Sequence, residues 1–138
     1  MHIARFEDTA GTVRYGVPIG ASRARGLNGD LSEGLRESDD EVAVGKWLAP
    51  VTPTNIYCIG LNYRAHAEET GASLPENPVI FMKPTTAVTN PGDPILLPTA
   101  CRRGPEVDFE AELAVIIGRR ARDISPADAL DHVLGYTC

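Results

Sequence analysis

Basic residues are in short supply in this chain. Thirteen Lys and Arg against nineteen Asp and Glu leave a formal charge of −6 over 138 residues. Sequence-independent nucleic-acid binding needs a cationic surplus to neutralise phosphates, so that class is excluded. Long apolar runs are also missing. The longest, Pro94–Pro98 and Leu113–Gly118, fall far short of a bilayer span, and residues 1–30 carry no basic region followed by an apolar core. No membrane partner and no signal peptide are therefore expected. Cysteine is scarce: Cys58, Cys101 and Cys138 form no CxxC, and an odd count makes no closed disulfide framework. The expectation is a reduced, cytoplasmic protein. GxGxxG and GxxxxGK[ST] are absent, which removes a phosphate-binding loop, and His2 and His132 lack metal-ligand spacing. What remains is ordinary for a globular chain, with 43% hydrophobic and 23% charged residues.

Patterning divides the chain near Pro50 and Pro53. Residues 1–52 read as a small β-containing domain. Two strands, His2–Glu7 and Thr12–Ile19, are joined by a turn around Asp8–Gly11. A Gly-, Asn- and Asp-rich stretch, Gly26–Asp40, follows. Ser38 is then expected to cap a helix through Lys46, with Asp39, Asp40 and Glu41 complementing its dipole. Residues 53–138 are denser. Asn55–Leu61 predicts a strand, Asn62 a cap for a helix over Tyr63–Thr70 closed by Gly71, and Val79–Lys83 a short strand. Ile95–Leu97 and Val107–Ile117 also read as strands, and Ser125–Pro126 as the start of a helix to Leu134. The fold class is α+β and β-rich.

Three groups of residues have chemical potential. On a strand over Val107–Ile117, period-two alternation puts Asp108, Glu110 and Glu112 on one face. Glu110 and Glu112 would stand roughly 6.5–7 Å apart at the backbone. That spacing suits a hard divalent cation such as Mg²⁺, Mn²⁺ or Ca²⁺, and equally a solvated acidic face. His66 and Glu69, at i and i+3 of a helix, are neighbours. Glu69 could orient the imidazole for proton transfer, or the two could be an inconsequential surface pair. Lys83 ends its strand before Pro84, either as a solvated edge charge or as a contact for a substrate carboxylate or enolate. Arg102–Arg103 and Arg119, Arg120 and Arg122 read as solvated clusters, and Cys58 as a small core residue.

Taken in order, Ile56-Tyr57-Cys58-Ile59-Gly60-Leu61-Asn62-Tyr63 with His66 and Glu69, then Phe81-Met82-Lys83-Pro84, then Val107-Asp108-Phe109-Glu110-Ala111-Glu112-Leu113-Ala114-Val115 resemble the fumarylacetoacetate hydrolase family. The resemblance runs from about Pro53 to Cys138, and residues 1–52 look like the variable small β-domain of bacterial members. It implies a mixed β-roll, here incomplete, usually in a homodimer. It also implies Mg²⁺ or Mn²⁺ held by carboxylates matched at Glu110 and Glu112, a catalytic dyad matched at His66 and Glu69, and a catalytic lysine matched at Lys83. The implied substrates are 2-oxo acids and β-dicarbonyl compounds. Hydrolytic C–C cleavage of acylpyruvates leads. Decarboxylation or keto–enol isomerisation of 2-oxo diacids is the sister reading, and a non-catalytic fragment is the alternative from another class. The family's third carboxylate ligand, an Asp, would fall a few residues beyond Cys138. The 138 residues alone are accordingly expected to be weakly active at best.

Overall fold

The computed structural model describes residues 1–100, 104 and 107–138. It divides into two units, Met1–Pro50 with Asn90–Cys138, and Val51–Thr89. Each is taken by itself.

The first unit opens with four antiparallel strands, β1 (Ala4–Asp8), β2 (Val13–Pro18), β3 (Arg23–Asp30) and β4 (Gly34–Leu48). Because β1 pairs with β4 as well as with β2, the sheet closes into a barrel and leaves no free edge. Four strands enclose little space, and one ring fills much of it. Phe6 is fully buried and meets Trp47 edge to face, with centroids 5.7 Å apart. Ala24 and Leu27 complete the core. Gly16 has no room for a side chain, since a Cβ there would lie 2.7 Å from the Arg25 carbonyl oxygen and 2.9 Å from Phe6 Cε1. The expected turn between the first two strands is present. Asp8 closes it by accepting the N–H groups of Ala10 and Thr12, each at 2.9 Å, and Arg14 Nε–H at 2.8 Å.

The helix expected over Ser38–Lys46 is instead the middle of β4. The acidic residues that suggest a helix N-terminus are cross-strand partners: Glu41 pairs with Arg23 at 2.7 Å and Glu37 with Arg25 at 3.6 Å. Val42 and Val44 turn half-buried faces inward, which favours a strand. The Gly-rich stretch before it supplies β3, whose ladder to β4 shifts register between Arg25 and Leu27.

After Pro50 the chain forms the second unit and returns at Asn90. A clasp marks the return. Ala49 donates its N–H to Asn90 Oδ1 at 3.0 Å, Asn90 Nδ2 donates to Asp93 at 2.8 Å, and Lys46 Nζ lies 2.7 Å from Asp93 Oδ1. The Lys46 hydrogen bond, then that from Asn90, lowers the Asp93 pKa. Ile95–Leu97 is not a strand; Pro94 and Pro98 flank it and remove ladder donors, and all three residues are exposed. The strand expected from Val107 begins only at Ala114, as β5 (Ala114–Ile117). Its partner β6 (Val133–Thr137) pairs Thr137 with Ala114 and carries the ladder no further. The expected helix after Ser125 is a 3₁₀ segment, Pro126–His132, that stops short of Leu134. Val133, Tyr136 and Thr137 are β-formers, and the segment is taken up by β6. Arg102, Arg103 and Cys101 lie outside the described residues.

The second unit is an antiparallel pair, β7 (Ile56–Gly60) and β8 (Val79–Lys83), flanking one short helix, α1 (Arg64–Glu69). β8 has the predicted bounds, and β7 lies within the predicted range. The register runs from Ile56 opposite Lys83 to Gly60 opposite Val79. The cap of α1 is Tyr63, not Asn62, and it makes no side-chain cap hydrogen bond. Gly71, at φ +67°, closes the C-terminal end as expected. Cys58 is half-buried and not fully in a core. Among the described residues no helix is long and apolar enough to cross a membrane.

Candidate active site

In the second unit, α1 presents His66 and Glu69. The helix has six residues, too few to be stable without tertiary support. Ala67, 1% exposed, is its buried anchor. Its C-terminal end is tied by Thr70 N–H and Thr70 Oγ1 to the His66 carbonyl, at 3.1 and 2.9 Å, and by Ala72 N–H to the Ala67 carbonyl at 2.9 Å. His66 and Glu69 are both exposed, three positions apart and so on neighbouring parts of the helix surface. Among the described residues no hydrogen bond joins their side chains. Lys83 is at the end of β8, exposed and opposite Ile56 in the ladder.

Glu110 and Glu112 belong to the first unit. They precede β5, in a stretch from Val107 to Leu113 with no regular secondary structure. The strand face that was to align them is therefore not formed among the described residues, where the ladder starts at Ala114. Glu112 is half-buried and Glu110 exposed. Asp108, the third acidic residue there, turns back on the chain and accepts the Phe109 N–H at 2.8 Å. Among the described residues, no three His, Cys, Asp or Glu side chains converge as a metal cluster. The donor chemistry is nonetheless that of a hard cation: two glutamates one residue apart offer only oxygen, which suits Mg²⁺ or Mn²⁺ and not a soft metal.

Sequence reasoning passed over one feature beside α1. Leu61, between β7 and the helix, has a left-handed backbone with φ +52°. Leucine carries no sequence signal for that conformation, unlike Gly or Asn. A second silent feature is His132, whose Nδ1 is buried without a hydrogen-bond partner among the described residues.

Residues 55–138 match the family described as "Fumarylacetoacetate (FAA) hydrolase C-terminal". An uncharacterized protein of Archaeoglobus fulgidus is 44% identical over 121 residues, 80% of this chain and 47% of that protein. A mitochondrial oxaloacetate tautomerase of Xenopus laevis is 46% identical over 91 residues, 65% of this chain and 28% of its own length. Among solved structures, a 5-carboxymethyl-2-hydroxymuconate delta-isomerase from Mycobacterium smegmatis superposes with a TM-score of 0.73 at 29% identity. That match covers 99% of this chain and 52% of the other. The chain thus spans less than half of these two relatives and about half of the solved protein.

Proposed function

The chain belongs to the fumarylacetoacetate hydrolase family, and from that premise we propose that it supplies acid–base and metal-holding residues to an enzyme that interconverts keto and enol forms of a 2-oxo diacid. The observation that carries this reading is the 46% identity to an oxaloacetate tautomerase over 91 residues. An isomerase among the matching folds supports it as well. Both names favour isomerisation over the C–C hydrolysis that the motifs put first.

The reaction needs a base at C3 and stabilisation of the oxygen on C2. An imidazole nitrogen of His66 takes the C3 proton, and the C–H electron pair becomes the C2–C3 double bond of the enolate. Glu69, one helical turn away, orients the ring. The Lys83 ammonium offsets enolate or carboxylate charge. Protonation of the enolate oxygen gives the enol, so no oxidant or co-substrate is required. Bound Mg²⁺ or Mn²⁺, held by Glu110 and Glu112, would supply Lewis-acid polarisation of the 2-oxo carbonyl. Hydrolysis would place the same base on water instead, attacking a distal carbonyl of an acylpyruvate.

The test is ultraviolet detection of oxaloacetate keto–enol exchange, alongside acylpyruvate cleavage, with and without Mg²⁺ or Mn²⁺. Metal-dependent exchange above the buffer rate that His66→Ala reduces by about 10²–10⁴-fold is the expected result. Acylpyruvate cleavage without tautomerisation would return the reading to C–C hydrolysis. The reading includes a homodimer, which the family resemblance implies. Sedimentation measures that directly.

A further inference from the structure

We propose that Asn90 is a positioning residue: its side chain holds the point where residues 51–89 leave the first unit against the point where they return, and so restrains the segment that carries His66. The inference rests on the function proposed above, which takes its base from that segment and its carboxylates from the first unit. Residues 90–93 read Asn-Pro-Gly-Asp, and the Asp93 N–H donates to the Asn90 carbonyl at 3.0 Å. Proline in the second place and Gly92 at φ +81° in the third meet the requirements of a type II turn. Proline fixes its φ before folding, and glycine takes the left-handed position without strain, so the turn is preorganised. Its first and last side chains arrive together.

Both side chains act on the end of β4. Asn90 Oδ1 accepts the Ala49 N–H at 3.0 Å, although the two residues are 41 positions apart. Asn90 Nδ2 donates to Asp93 Oδ2 at 2.8 Å, and Asp93 accepts Lys46 Nζ at 2.7 and 3.0 Å. An amide turned end for end would set its N–H₂ against the Ala49 N–H, so the Asp93 carboxylate selects the orientation that serves Ala49. Ala49 is held from its other side as well. It is 8% exposed, and its carbonyl accepts Arg5 Nη1–H from β1 at 3.4 Å. β1 and β4 close the barrel through their own ladder, from Arg5 with Leu48 to Asp8 with Val44, and the turn lies outside it. What the turn adds is a link between residue 49, just before the exit, and residue 90, just after the return. Two chain crossings that move separately are two hinges, and relative motion is the default for units of one chain. Tied crossings leave fewer ways to move. A misplacement of about 1 Å lowers a rate by about 10²-fold, so the tie matters to turnover more than to folding.

The experiment compares Asn90→Ala, Lys46→Ala and the exchanged pair, Asn90→Asp with Asp93→Asn, in the protein carrying this sequence at its native length. Asn90→Ala misplaces the base without removing a substrate contact, so kcat should fall about tenfold with KM little changed. Lys46→Ala removes only an exposed ion pair and should lower kcat by less than about threefold. The exchanged pair still offers an acceptor to the Ala49 N–H and one amide–carboxylate bond within the turn. It should return kcat to within about threefold of the parent. Amide exchange at Val51, Val88 and Thr89 supplies a readout apart from turnover. It should quicken in Asn90→Ala and return toward the parent rate in the exchanged pair. Melts followed by Trp47 fluorescence give the folded fraction of the barrel, which should stay near the parent's in every variant. Parental kcat in Asn90→Ala, or a loss of kcat that only follows the folded fraction, overturns the proposal. If His66→Ala leaves kcat intact, the acid–base reading fails by itself. Exchange at Val51 and Thr89 then decides the link alone: quickened rates in Asn90→Ala support it, and unchanged rates overturn it.

Discussion

A methyl group added at Gly16 tests whether the small barrel is packed as described. The new Cβ would meet the Arg25 carbonyl oxygen at 2.7 Å, Phe6 Cε1 at 2.9 Å and Ala24 Cβ at 3.0 Å. A flexible side chain could yield, but a ladder carbonyl and a fully buried ring cannot. Overpacking of this kind costs about 1–3 kcal/mol. The converse change, Phe6→Ala, opens a cavity and costs about 3–5 kcal/mol. The first unit, Met1–Pro50 with Asn90–Cys138, has only about 5–15 kcal/mol in hand, so that variant forfeits a large share of it. Phe6→Leu is the usable partner. It removes the ring edge that opposes the new methyl but not the Arg25 carbonyl. Gly16→Ala with Phe6→Leu should therefore be less destabilised than the sum of the single variants, by about 0.5–3 kcal/mol. Urea melts followed by tryptophan fluorescence report on this barrel alone, because the chain has a single Trp. That residue, Trp47, packs on Phe6 and donates its indole N–H to the Ala21 carbonyl at 2.8 Å. Strict additivity, or a Gly16→Ala variant as stable as the parent, would refute the packing argument.

Other outcomes follow from the same structure. The Asp8 pKa is lowered, first by the Thr12 N–H and then by the Arg14 side chain. Its contribution to stability is complete above the unfolded carboxylate range and is lost as pH falls through the lower folded value. Asp8→Asn should flatten the acid limb of the melting profile. Asp93→Ala should quicken amide exchange at Ala49 more than Lys46→Ala does, because Asp93 holds Asn90 as well as Lys46. Glu110→Gln and Glu112→Gln should each abolish calorimetric Mg²⁺ or Mn²⁺ binding; unchanged affinity in both would remove the metal reading.

Where structure is decided locally, the sequence was easy to read. The Asp8–Gly11 turn, β8 and α1 have their signals within a few residues, as do the Gly71 stop and the apolar run of β7. Pairing at longer range was hidden. The acidic run at Glu37–Glu41 looks like a helix start until Arg23 and Arg25 stand opposite. Alternation from Val107 looks like a strand, but among the described residues the ladder takes up Ala114–Ile117 alone. Of the candidate site, the sequence alone names His66, Glu69, Lys83, Glu110 and Glu112 as candidates, by their side-chain chemistry. The backbone at Leu61 was not legible, because nothing in a leucine announces a left-handed turn.

The clasp at Ala49 and Asn90 has a consequence for how such a chain can vary. Residues 51–89 leave and rejoin the first unit at points one hydrogen bond apart. Loop-closure entropy grows only with the logarithm of length, so residues added between two such fixed ends cost little. Topologically the segment is an insertion with a closed doorway. It can be lengthened, shortened or exchanged for another while the strands of the barrel keep their register. Variation within residues 51–89 is thereby uncoupled from the packing around Phe6, which leaves little room for change.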